Sequence, residues 1–126
     1  MGLVGASGNA TPTATIAGGN TGLDNPFGIA LDGAGNIYVA NSGGSITVYA
    51  AGASGNATPT ATIAGGNTGL GAPFGIALDG AGSIYVSNFN ANSITVYAAG
   101  ASGNATPTAT ITGGNTGLNN PVRLTF

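Results

Sequence analysis

The chain contains no cysteine, histidine or lysine, and only 3% of its 126 residues are charged. The four charged residues are Asp24, Asp32, Asp79 and Arg123. Without cysteine there can be neither a disulfide nor a thiolate metal site. One arginine cannot neutralise a run of phosphates, so nucleic acid is not an expected partner. Acid–base and nucleophilic catalysis draw on His, Lys, Cys and clustered carboxylates. Three scattered aspartates and one arginine therefore predict no enzyme, no metal site and no cofactor. Long apolar runs are missing too: Gly, Asn, Pro and Thr interrupt every stretch well before the ~20 residues of a spanning helix. The apolar runs also fall short of the roughly 9–11 residues of a membrane-barrel strand, so no membrane partner is expected. Met1-Gly-Leu-Val-Gly5 lacks the basic start and apolar stretch of a secretory signal.

A globular domain usually devotes about a quarter of its residues to charge. Here the surface must be made from Thr, Ser, Asn and Gly, and the formal net charge is −2. Weak charge repulsion leaves little to keep copies of the chain apart. The same composition favours an extracellular or cell-surface setting.

What the sequence does have is repetition. The segment GASGNATPTATIAGGNTGL occupies Gly5–Leu23 and recurs unchanged at Gly52–Leu70. A third copy, Gly100–Leu118, differs only in Thr112. A period of 47 and then 48 residues belongs to solenoids, propellers and similar arrays. Copies this close point to recent duplication or to deliberate repetition of one unit.

Each repeat holds four short runs with strand patterning, separated by Gly, Asn, Ser and Asp. The first is Pro26–Asp32, repeated as Pro73–Asp79. Phe27, Ile29 and Leu31 make a bulky face, while Gly28 and Ala30 make a bare one, because side chains alternate along a strand. Such a strand suits stacked sheets and is assigned to the crowded innermost position. The turn after it opens with Asp32 or Asp79, which caps backbone N–H groups. The second run, Ile37–Ala40 and Ile84–Ser87, is apolar on both faces, as in a strand between two sheets. The third, Ser45–Tyr49 and Ser93–Tyr97, sets Ile and Val on one face and Thr and Tyr on the other. The fourth is Thr11–Ile16, Thr58–Ile63 and Thr106–Ile111. Its proline marks an edge strand, placed outermost with the Thr row in water. The single-residue difference in period falls where Ser42–Gly44 becomes Phe89–Asn92.

Four strands per repeat, ordered inner to outer, predict an all-β fold of β-propeller blades. The segments PFGIALDGAGNIYVAN (Pro26–Asn41) and PFGIALDGAGSIYVSN (Pro73–Asn88) resemble the NHL repeat family of propellers. That resemblance implies a propeller, with six blades a common number, and says almost nothing about ligand. The chain lacks the charged residues often found after the second strand in that family. Propellers of the virginiamycin B lyase type are similar in blade pattern but depend on His and acidic groups, and this chain has no His.

The reading divides the chain into an orphan outer strand and loop (1–25), two blades (26–72 and 73–118) and a degenerate inner-strand fragment (119–126). Two blades cannot close a ring and would leave apolar faces exposed, which usually marks an association surface. The expected partner is the chain itself, in a homo-oligomeric ring with three copies favoured, or in an open filament if the rotation fails to close. Thr11, Thr13, Ile16, Arg123 and Phe126 are the residues expected to bear on assembly. The Thr11–Ile16 strand could complete a sheet in a neighbouring copy and would then compete with Thr106–Ile111. In the last fragment Arg123 replaces Gly28, and an arginine entering the bare-face slot would lose its hydration.

Four other features of the sequence bear on ligands. Asp32 and Asp79 could bind Ca²⁺, but one carboxylate per turn is too few, so turn capping is expected. Asn9-Ala-Thr11 and its repeats match a glycosylation acceptor, yet each is followed by Pro, and a turn or cap is the better reading. A Thr-x-Thr-x-Thr run could bind ice as one rung of a ladder, but here the rungs recur only every 47–48 residues. Asn41, Asn88, Phe89 and Asn90, near Tyr38, Tyr49, Tyr85 and Tyr97, could form a rim for a neutral glycan.

Overall fold

The computed structural model describes residues 8–122. The expectations placed on Arg123 and Phe126 lie outside the described residues. The fold is all-β, and among the described residues there is no helix. Strands β1 (Pro26–Leu31), β2 (Ile37–Asn41), β3 (Ser45–Tyr49) and β4 (Ala61–Ile63) form one antiparallel sheet in sequence order. Strands β5 (Pro73–Leu78), β6 (Ile84–Asn88), β7 (Ser93–Tyr97) and β8 (Ala109–Ile111) form a second sheet of the same order. Both are blade-like meanders, and their registers match residue for residue.

The sheets stack with β1 against β5 and β2 also reaching β5. The reason lies in the bare face of β1. A Cβ added at Gly28 would run into the Phe74 carbonyl oxygen, so only glycine lets the two backbones come this close. Ala30, Tyr38, Ala40, Ile46 and Ile63 of the first blade meet Ile76, Leu78, Ile84, Val86 and Tyr97 of the second in one apolar cluster. This cluster is the core, and it lies between the blades.

The outer strands are shorter than the sequence pattern predicts. The ladder covers Ala61–Ile63 and Ala109–Ile111 rather than the six residues from Thr58 and Thr106. Pro59 and Pro107 have no N–H to contribute. The last backbone bonds on that side run from Thr60 and Thr108 to the Val48 and Val96 carbonyls, at 2.7 and 2.8 Å. The faces are as the alternation requires: Thr58, Thr60 and Thr62 are exposed, Pro59 and Ala61 half-buried, and Ile63 buried.

The N-terminal run Thr11–Ile16 forms no ladder. It touches the first blade through one parallel bridge, Ile16 to Gly55. Its ladder partner would be the third strand of a preceding sheet, and the described residues hold none.

Candidate functional site

Each blade is closed by a polar circuit built on one asparagine. Asn41 ends β2 and is fully buried. Its Nδ2 donates to Ser45 Oγ (3.2 Å) and Thr47 Oγ1 (3.0 Å), and its Oδ1 accepts from the Asp24 amide at 3.1 Å. The Tyr49 hydroxyl donates to the Thr21 carbonyl at 2.6 Å and lies 2.9 Å from Thr47 Oγ1. The second blade repeats this circuit with Asn88, Ser93, Thr95 and Tyr97, and the Tyr97 hydroxyl donates to the Thr68 carbonyl at 2.6 Å. Buried polar groups are tolerable only when paired, and no buried side-chain polar atom among the described residues lacks a partner. Burial holds the Tyr97 phenol above its ordinary value, with the Thr95 hydrogen bond opposing.

The same circuit ties the segment before each blade to the blade itself. Beside the Thr21 and Asp24 bonds, the Ser42 and Gly43 amides donate to the Asn25 and Asp24 carbonyls, at 3.0 and 3.3 Å. Residues 21–25 are therefore hydrogen-bonded to the first blade, as residues 68–72 are to the second.

The Asp turns are capped as expected. Asp32 Oδ1 accepts from the Ala34 and Asn36 amides at 2.9 Å, and Oδ2 accepts from Asn36 Nδ2 at 2.9 Å. The Asn36 side chain, with the turn amides and Tyr38, holds this carboxyl below its usual value. Asp79 accepts from the Ala81 and Ser83 amides, both at 3.0 Å. No three His, Cys, Asp or Glu gather anywhere among the described residues.

A second junction joins neighbouring blades at their outer edges. Ile63 bridges Gly103, with the Gly103 amide donating to the Thr62 carbonyl at 2.6 Å and the Ala64 amide to the Gly103 carbonyl at 3.0 Å. Asn104 Oδ1 accepts from the Asn67 amide at 2.8 Å. The N-terminal segment makes the same junction one repeat earlier, through Ile16–Gly55 and Asn56 Oδ1 to the Asn20 amide at 2.8 Å. Two of the three glycosylation-like asparagines are thus junction acceptors.

The two outer faces of the stack are unequal copies of its covered interior. On the first blade Phe27, Ile29 and Leu31 are about 60% exposed, at 59, 65 and 61%. Under the first blade Ile76, the counterpart of Ile29, is 5% exposed, while Phe74 and Leu78, the counterparts of Phe27 and Leu31, are half-buried. In front of the first blade lies an open apolar groove of about 360 Å³ along Leu23, Phe27, Ile29, Ile37, Val39 and Tyr49. On the opposite face of the second blade Ile111 is 49% exposed, whereas Ile63 is 0%.

Of the expected rim residues, Asn41 and Asn88 lie inside the blades and reach no surface. Phe89 is half-buried and Asn90 exposed. The Phe89 ring packs against Phe74 at a centroid distance of 5.5 Å, and Phe74 stacks on Phe27 at 4.1 Å. The four residues do not form one patch. Of the expected assembly residues, Thr11 and Thr13 are exposed and Ile16 occupies the junction at Gly55. Sequence reasoning missed the Asn–Thr–Tyr circuit, although its members recur at matching positions in both repeats. No protein-family model matches this chain, and no curated protein is significantly similar to it.

Proposed function

We propose that the chain is a self-associating, non-enzymatic β-propeller module of the NHL-repeat type, whose blades are closed into a ring scaffold by further copies. One observation carries this reading: the exposed front of the first blade has the same residues as the front of the second, where the first blade buries Ile76 and leaves Phe74 and Leu78 half-buried. Phe27, Ile29 and Leu31 correspond to Phe74, Ile76 and Leu78. The molecule therefore contains an example of the contact its open face requires. Fully burying one isoleucine contributes roughly 1.5–3 kcal/mol, so covering Ile29 as Ile76 is covered, with partial cover of Leu31, favours association. A head-to-tail contact of this kind closes if its rotation divides a full turn. Three copies give six blades.

Native mass measurement tests the proposal. The expected result is one sharp small multiple of the chain mass, with Ile29→Asp shifting it to a single chain while far-ultraviolet circular dichroism stays unchanged. Ile29 is already mostly exposed in the single chain, so this substitution acts on association rather than folding. A wild-type monomer would overturn the reading. A broad ladder of masses would replace the ring with an open filament.

A further inference from the structure

We infer that in the assembled ring each copy's N-terminal segment, residues 11–17, serves as the outer strand of the neighbouring copy's second blade and displaces that copy's own β8. The inference rests on the ring reading and specifies how its junction is made.

Residues 106–126 are a second version of residues 11–31. When the second blade of one copy covers the first blade of the next, both stretches are required at one place. The incoming β8 would have to bridge Gly55, as Ile63 bridges Gly103, and that seat is already held by Ile16 of the receiving copy.

The structure distinguishes the two claimants. The receiving copy's segment is seated on its own first blade by the Gly55 bridge, and the residues that follow it are held there by four more bonds: the Asn20 amide on Asn56, the Thr21 carbonyl on Tyr49, the Asp24 amide on Asn41 and the Asn25 carbonyl on Ser42. What it lacks is a ladder. The incoming β8 has the complementary condition. It has a ladder to β7, with Ile94 opposite Ile111, Thr95 opposite Thr110 and Val96 opposite Ala109. Yet all three of its residues are exposed. Beyond it, the Asn120 amide donates to Asn92 Oδ1 at 2.7 Å, and the Thr116 bonds are local. Transferring the β7 ladder from β8 to the neighbour's Ala14–Ile16 gives one strand both sets of bonds, the condition of β4 inside the chain.

Two sequence differences agree. Thr112 stands where half-buried Ala64 sits at the occupied junction. Arg123 aligns in sequence with Gly28, where not even a Cβ fits against the next blade. Of the two stretches, the N-terminal one therefore has the sequence suited to a ring seat.

A cysteine pair in the full chain tests the exchange, since the wild type has no cysteine to confuse it. By the β7–β8 register, Ala14 of one copy should face Val96 of the next. Facing residues on paired strands fall within the ~4.4–6.8 Å Cα separation that a disulfide spans. Ala14→Cys with Val96→Cys should run as a covalent multi-chain series on a non-reducing gel and collapse to one chain on reduction. The control, Val96→Cys with Ala109→Cys, should link poorly within the chain once the ring has formed. Efficient intrachain linkage in the control, with no interchain linkage in the first pair and a ring mass intact, would overturn the exchange alone. A single-chain native mass for the wild type would overturn the ring and the exchange with it. Hydrogen exchange on the wild-type ring is independent of any folding defect in these variants. Residues 13–16 should become protected and residues 108–111 lose protection, and the reverse pattern would count against the exchange.

Discussion

Residue 72 sits awkwardly for its type. Asn25, Ala72 and Asn120 each precede a proline and share a left-handed backbone, with φ of 52, 51 and 50°. Asparagine tolerates that region, and alanine does so at a cost of roughly 1–2 kcal/mol. Ala72→Asn should therefore stabilise the chain by about 1 kcal/mol, seen as a higher denaturant midpoint with an unchanged slope. Tyr97→Phe should act in the other direction. It leaves the Thr68 carbonyl without its donor inside the blade, costing about 1–3 kcal/mol, and the melting temperature should fall accordingly. Burial also gives Tyr97 a pH dependence. Its folded value lies above its unfolded value of about 10, so its contribution is complete below that pH and is lost as pH rises through the folded value. Tyr38 moves the same way, through burial and then the Asp32 charge. Tyrosinate absorbance should thus appear later in the native protein than in the denatured chain, and melting temperature should drop above about pH 10. At this scale the Asp turns were legible, because an aspartate caps amides only two and four residues away. Asn41 was not, because polar residues at strand ends read as surface, and its partners lie partly in the segment before the blade, 17 residues back at Asp24.

The strands themselves were nearly all legible at the level of elements. β3 and β7 have the bounds their alternation marks, and β2 and β6 gain only the closing asparagine. The outer strands are shorter than their pattern, since a Thr-Pro-Thr alternation sets side-chain faces without ensuring a ladder. The N-terminal run shows this most clearly: it has the same six residues as Thr58–Ile63, yet only one bridge. A strand is defined by its neighbour, which no local pattern contains. The blade-to-blade contact depends on the bare face of β1. Gly28→Ala should push β1 from β5 and destabilise the chain by about 1–3 kcal/mol, with a lower midpoint in chemical denaturation. Gly33→Ala, in open space at the turn, is the control.

For the molecule as a whole, the repeat pattern showed that two blades leave apolar faces open, but not which terminal segment would fill a seam between copies in the proposed ring. The choice between them rests on burial and on bonds spanning most of a repeat. The residues on both open faces are uncharged, so ring mass should hold as sodium chloride rises from ~0.1 to ~1 M, where exposed charge pairs are screened. The three identical outer segments carry a further consequence, for kinetics. The chain has three interchangeable strands and two ladders, β3 and β7, to receive them. During refolding either ladder can capture the wrong segment and bury a native-like row of contacts in the wrong order. Such a species is compact and well paired, and it reaches the native arrangement only by unpairing first, which is frustration created by perfect local agreement. Refolding should accordingly show a slow phase that native-state stability does not foretell, and breaking the identity of one copy should remove it.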